Sequence, residues 1–170
     1  SYDVDVDCLS GKYGGDGTNV SKHVDGIKAL PATGGNFAFE FPANDVLIEY
    51  VRMDGAKDYG HVNVISVIPY LVMKTAALGR GKAKDAYDIY YTIDNYTGGV
   101  RTLAKEFELY RDKEIIQDMC QKLNEKFASV QHSGPMDVIN FLGLADEEEI
   151  MRIRQDAYQK IHYLVERIRL

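Results

Sequence analysis

Residues 61–78, HVNVISVIPYLVMKTAAL, hold the change of period that decides the fold. His61 to Val67 is a strand candidate that opens on alternating polar and apolar side chains, His61 to Val64, the two-residue repeat of a half-buried strand. Past Pro69 the apolar residues recur at helical spacing, and Pro69 itself suits the first turn of a helix running to about Leu78. Upstream of this switch the chain reads as β. Tyr2–Leu9, His23–Leu30, Phe37–Phe41 and Val46–Met53 are further strand candidates. They are separated by turn signals at Pro31, Gly34-Gly35, Pro42 and Asp54-Gly55, of which Asp54-Gly55 predicts a hairpin.

Downstream the chain reads as helix. Lys82–Tyr96 carries an apolar stripe of Ala86, Ile89, Tyr90 and Ile93, and the stretch Asn95–Gly99 stops it. Val100–Phe107, Lys113–Phe127, Pro135–Leu142 and Glu147–Ile168 follow. The last has an acidic first turn, Asp146–Glu149, and ends on Arg167 and Arg169, both favourable to the helix dipole. Strands first and helices after predict an α+β fold, a small mixed sheet of about five strands followed by a helical part. The boundary is set at 67/68.

Composition narrows the function classes. An apolar fraction of 45% over 170 residues suffices for a real core, and a net charge of −6 argues against a basic nucleic-acid surface, a local patch excepted. Cys8 and Cys120 are far apart and outside any CxxC, so neither a zinc site nor a disulfide framework is expected, and a reducing cytosol fits. No apolar run reaches membrane-spanning length. The chain opens on Ser1-Tyr2-Asp3, already within a strand pattern and without an initiating Met, so the natural protein is expected to begin upstream.

Three constellations bear on chemistry. Asp3, Asp5 and Asp7 fall on one face of the first strand, either as ligands for a divalent cation such as Mg²⁺ or as the acidic outer face of a solvated edge. The stretch LVMKTAALGRGKAKDAYDIYY sets Lys74, Arg80, Lys82 and Lys84 beside Asp85 and Asp88, which share a helix face at i and i+3. Four cations within eleven residues suit a triphosphate, and a salt-bridged surface helix is the alternative. Gly11, Gly14, Gly15 and Gly17 fit neither a P-loop nor a dinucleotide loop and read as a connection. The histidines at 23, 61, 132 and 162 lack ligand spacing, and His132 reads as a capping or packing residue. Tyr87, Tyr90, Tyr91 and Tyr96 read as core and rim aromatics rather than a stacking platform.

The segment VMKTAALGRGKAKDAYDIYYTIDNYTGGV resembles the helical motif of AbiEii-like nucleotidyltransferases, in which Lys, Arg, Lys-Asp and Asp follow at this spacing on two consecutive helices. VDVDCLSGKYGG and FAFEF upstream, and FASVQHSGPMDVINFL downstream, resemble the same proteins, so the likeness runs from residue 4 to about 142. It implies a polymerase-β-type nucleotidyltransferase fold. The implied activity is transfer of a nucleoside monophosphate from an NTP to an RNA, protein or small-molecule acceptor, with Mg²⁺ as cofactor. Lys74, Arg80, Lys84, Asp85 and Asp88 would then face the nucleotide, Lys74 and Arg80 holding phosphates. Asp7, with Asp5 beside it, would match the third metal-binding carboxylate. A toxin–antitoxin setting with an antitoxin partner is a further implication. The sequence departs from the family at one place. No Gly-Ser-x-x-x-Asp-x-Asp occurs, and Asp3-Val-Asp5 has the bare spacing without the glycine turn, so the first two metal ligands are expected to be missing. That departure keeps open a non-catalytic binding or regulatory module of the same fold. A metal-dependent nuclease built on Asp3, Asp5 and Asp7 ranks behind both.

Overall fold

The computed structural model describes residues 8–11, 22–24 and 26–170. The chain divides into two units, one ending at Tyr70 and one running from Leu71 to Leu170.

The first unit holds five strands among the described residues, arranged in two separate small sheets rather than the single sheet expected. β1 (Cys8–Gly11), β2 (Lys22–Val24) and β3 (Ile27–Ala32) form a mixed sheet in the order β1-β3-β2, with β1 parallel and β2 antiparallel to β3. The strand expected over His23–Leu30 is thus cut in two, because β2 turns back at Val24 to pair with Ile27. Pro31, expected in a turn, lies inside β3 opposite Ser10. Among the described residues β2 pairs with β3 only as far as Ala29, and proline's missing N–H is tolerated at edge positions of a sheet.

Phe37–Phe41 is not a strand. Gly35–Ala38 forms one helical turn, α1, followed by a turn through Phe39 and Glu40. Phe37 is buried and meets Phe41 edge-on at 4.9 Å, while Phe39 is exposed. Residues four apart share a face in a strand and in a helix alike, so the Phe37/Phe41 pair satisfies both periods, and the side to which Phe39 points decides between them. α1 approaches β1 closely. A Cβ on Gly11 would fall 1.6 Å from Asn36 Oδ1, so a larger residue at the end of β1 would displace the Asn36 side chain.

β4 (Asn44–Val51) and β5 (Lys57–Val64) form the predicted antiparallel hairpin, with Val46 opposite Val62 and Glu49 opposite Tyr59. Its turn is the Asp54-Gly55 pair: Gly55 has φ 83°, and the Asp54 carboxylate accepts from the Ala56 N–H at 3.1 Å.

Helices take over where the period changes. α2 spans Val67–Ala77 and runs into a 3₁₀ turn, Leu78–Arg80, followed by Gly81 at φ 72°. α3 (Ala83–Asp94), α4 (Gly99–Glu108), α5 (Glu114–Lys126), α6 (Ser133–Leu142) and α7 (Glu147–Arg169) match the expected helices closely. The second unit is built around α7, which packs against α3, α4, α5 and α6. Its core includes Ile89, Ile93, Leu103, Phe107, Ile116, Leu123, Val138, Ile161, Leu164 and Ile168, each essentially inaccessible. The predicted stripe of Ala86, Ile89, Tyr90 and Ile93 is the buried face of α3. At the start of α7 the Asp146 carboxylate accepts from the Glu149 N–H at 2.7 Å. His132 does join two elements: its Nδ1 lies 3.0 Å from the Lys126 carbonyl oxygen, linking the end of α5 to the start of α6. Among the described residues no helix is long and apolar enough to cross a membrane.

Candidate functional site

The second unit gathers most of the predicted nucleotide-binding residues in one place. Lys74 lies in α2, while Lys84, Asp85 and Asp88 lie in the first two turns of α3. The 3₁₀ turn and the left-handed Gly81 reverse the chain between them, so residues eleven and fourteen positions apart come within bonding distance. The Lys74 ammonium donates to Asp85 Oδ1 at 3.1 Å and to Asp88 Oδ2 at 2.6 Å. The Lys84 ammonium donates to both oxygens of Asp88, at 3.0 and 2.8 Å. Asp88 therefore accepts from two lysines, and Lys74 bridges two carboxylates.

Depth separates the members of this cluster. The side chains of Asp85 and Asp88 are only 11% and 13% exposed and that of Lys74 25%, whereas Lys84 is 61% exposed. Lys74 is thus an inner clamp joining α2 to α3, and Lys84 covers the cluster from the solvent side. Burial pushes the Asp88 carboxyl upward, but the hydrogen bonds and charges of Lys74 and Lys84 outweigh it and hold the group below the usual carboxylate range. Beside Lys74, the Thr75 hydroxyl is fully buried and lacks a hydrogen-bond partner among the described residues.

Arg80 does not join the cluster. It lies exposed in the 3₁₀ turn, and Lys82 is exposed at the N-terminal boundary of α3; neither makes an ion pair among the described residues. Asp3, Asp5 and Asp7 lie outside the described residues, as do Gly14, Gly15 and Gly17.

A cofactor metal finds no ready seat on the helices. Asp85 and Asp88 already accept from ammonium groups, and among the described residues no group of three or more His, Cys, Asp or Glu side chains converges as a ligand set. The Mg²⁺ ligands that the resemblance implies, Asp5 and Asp7, fall in the undescribed stretch.

No protein-family model, characterised protein or solved structure matches the chain.

Sequence reasoning missed two features bordering the cluster. Tyr87 stacks on Phe141 of α6 at 4.7 Å and lies 5.7 Å from Tyr91, so α3 presents an aromatic group next to its charged one. On the buried face of α3, the Tyr90 hydroxyl donates to Asp156 at 2.8 Å, and Lys160 bonds both Asp156 and Asp94, which fastens α3 to α7. The spacing of Tyr87 and Tyr91 is visible in the sequence, but Phe141 lies some fifty positions downstream and joins them only through packing.

Proposed function

We propose that the chain is an AbiEii-like, polymerase-β-type nucleotidyltransferase unit, and that the exposed side of the Lys74–Lys84–Asp85–Asp88 cluster, with Arg80, receives the polyphosphate of an NTP. One observation carries this reading. The Lys, Lys-Asp and Asp residues singled out by the resemblance converge from two helices onto one partly buried centre. Salt-bridged residues on a solvated surface helix would not need the second helix, nor carboxylates this little exposed.

The chemistry follows from the residues. Asp85 and Asp88 set the position of the Lys74 and Lys84 ammoniums, so that the cations are oriented before an anion arrives. Lys84, the accessible member of the cluster, and exposed Arg80 in the preceding turn meet the phosphates first. Mg²⁺, when bound, would supply charge neutralisation and activation of the acceptor, with Asp5 and Asp7 as its ligands by resemblance. The Asp-x-Asp pair with its glycine turn does not occur in these 170 residues, so nucleotide binding with little transfer is the expected behaviour.

A second reading has its own observation. Lys74 and Lys84 are both engaged by carboxylates, which suits a structural clamp in a non-catalytic binding or regulatory module. Incubation with labelled NTPs, Mg²⁺ or Mn²⁺ and a pool of RNA and protein acceptors separates the two. Saturable NTP binding with weak or no transfer supports the nucleotidyltransferase reading. The absence of any saturable binding leaves only the clamp. Robust transfer lost in Asp3→Ala or Asp5→Ala would show that the Asp3–Asp5–Asp7 segment is a sufficient metal site and would overturn the incomplete-site part of the proposal.

A further inference from the structure

On α3 the charged cluster and an aromatic cluster share one exposed face. Tyr91 follows Asp88 by three residues and Tyr87 follows Lys84 by three, so each ring is the surface neighbour of a charged member of the cluster. Tyr87 stacks on Phe141 with ring centroids 4.7 Å apart and planes 30° apart, and Tyr91 leans on Tyr87 at 5.7 Å. Tyr91 is 53% exposed and Phe141 44% exposed, although both belong to helices that bury their other faces. Tyr90, one position before Tyr91, is buried in the core and bonded to Asp156, so Tyr91 is outside the core by the helix repeat and not through loose packing, while Tyr87, three positions before Tyr90, is half-buried at the flank.

Exposed rings supported from behind by a third ring form a preorganised stacking surface, since little ordering is left to be done on binding. The surface is bordered by Lys84, and exposed Arg80 and Lys82 lie in the turn that leads into α3. A ligand suited to it is flat and aromatic at one end and anionic at the other.

We infer that Tyr87, Tyr91 and Phe141 form a base-stacking platform that holds the nucleobase of a nucleotide whose phosphates lie toward Lys84 and Arg80. This rests on the nucleotide reading above and deepens it: the platform supplies base contact by stacking, without a hydrogen-bond code, so it accepts purines more readily than pyrimidines and does not select sharply among bases.

The test is an NMR titration of the full chain with ATP, UTP, adenosine and inorganic tripolyphosphate, in wild type, Tyr91→Ala and Tyr91→Phe, reading the tyrosine ring resonances and magnetisation transfer to the base protons. Tyr91 is more than half exposed, so its replacement leaves the core intact, and an unchanged melting temperature checks this. Expected are transfer from the rings to the adenine protons, and an ATP affinity falling about five- to hundredfold in Tyr91→Ala and retained in Tyr91→Phe. Tripolyphosphate affinity should be the same in all three. If tripolyphosphate binds and ATP binds no tighter, or Tyr91→Ala leaves ATP affinity unchanged, the platform is refuted while the polyphosphate reading stands. If neither ATP nor tripolyphosphate binds, the nucleotide reading falls and the platform with it. Concentration-dependent self-association abolished by Tyr91→Ala, with no base contact, would show a contact between copies instead and also overturn the inference.

Discussion

Replacing Lys74 by Met keeps the length of the side chain and removes its ammonium. In the structure that ammonium makes two charge-assisted bonds, at 3.1 Å to Asp85 and 2.6 Å to Asp88. Each such bond is worth about 1.5–3 kcal/mol, and stripping a buried carboxylate of its partner costs about 3–5 kcal/mol. Two facts moderate the sum. Asp88 retains Lys84, and Lys74 is a quarter exposed, so water reaches the gap. A loss of about 2–3 kcal/mol results, carried mainly by Asp85, which is left without an ammonium among the described residues. For a unit the size of residues 71–170 this lowers the melting temperature by about 10–15 °C. The assay is thermal unfolding by circular dichroism, with Asp85→Asn and the double variant closing a cycle. The pH dependence has a defined sign. The Asp88 pKa is lowered in the fold, so the stability it contributes is complete above the unfolded value of about 3.9 and is lost as pH falls through the lower folded value. The gap between wild type and Lys74→Met should therefore narrow below about pH 4. A melting temperature within about 2 °C of wild type at pH 7, or additive single substitutions, would refute the clamp.

Four further outcomes follow from particular contacts. Phe107→Ala, at a fully buried position of α4, should cost about 3–5 kcal/mol in urea unfolding. Asp146→Ala removes the side-chain cap of α7 at Glu149 and should cost about 0.5–2 kcal/mol, recovered in Asp146→Ser. Gly134→Ala would set a Cβ 2.6 Å from the Lys126 carbonyl oxygen and 2.7 Å from the Phe127 ring, so it should destabilise measurably, while Gly79→Ala, in open space, should not. Burial pushes the Cys120 thiol up to about 11, so Ellman's reagent at pH 8 should titrate exposed Cys8 quickly and Cys120 only after unfolding; two fast thiols would contradict the buried position.

The helical part was legible in the sequence because its apolar residues keep one period for several turns and its boundaries are marked by Pro69, Gly99, Gly134-Pro135 and the acidic start of α7. The first unit was less so. Asp54-Gly55 announces its hairpin, but the short strands on either side of Asp25-Gly26 read as one, Pro31 reads as a turn residue, and the Phe37/Phe41 pair fits two periods. The division into two sheets depends on which strands meet, a pairing the hydrophobic pattern alone leaves open. At the site, sequence spacing put Asp85 and Asp88 on one helix face. That Lys74 reaches both, and that Arg80 does not, follows from the turn at Leu78–Gly81, whose direction no local pattern encodes. The aromatic neighbour of the cluster depends on α6 packing against α3, a contact between segments far apart in the chain.

Whether the solvent side of this cluster receives a polyphosphate is read from the dissociation constant of NTP with Mg²⁺, by equilibrium dialysis, for wild type, Arg80→Ala and Lys84→Ala at low and high salt. Arg80 makes no ion pair among the described residues, while Lys84→Ala removes one of the two partners of Asp88 and leaves the two bonds of Lys74 in place. Saturable binding is expected in wild type, weakened severalfold in each variant and faded in all three at high salt. Binding indifferent to both replacements and to salt, or no binding at all, would contradict it.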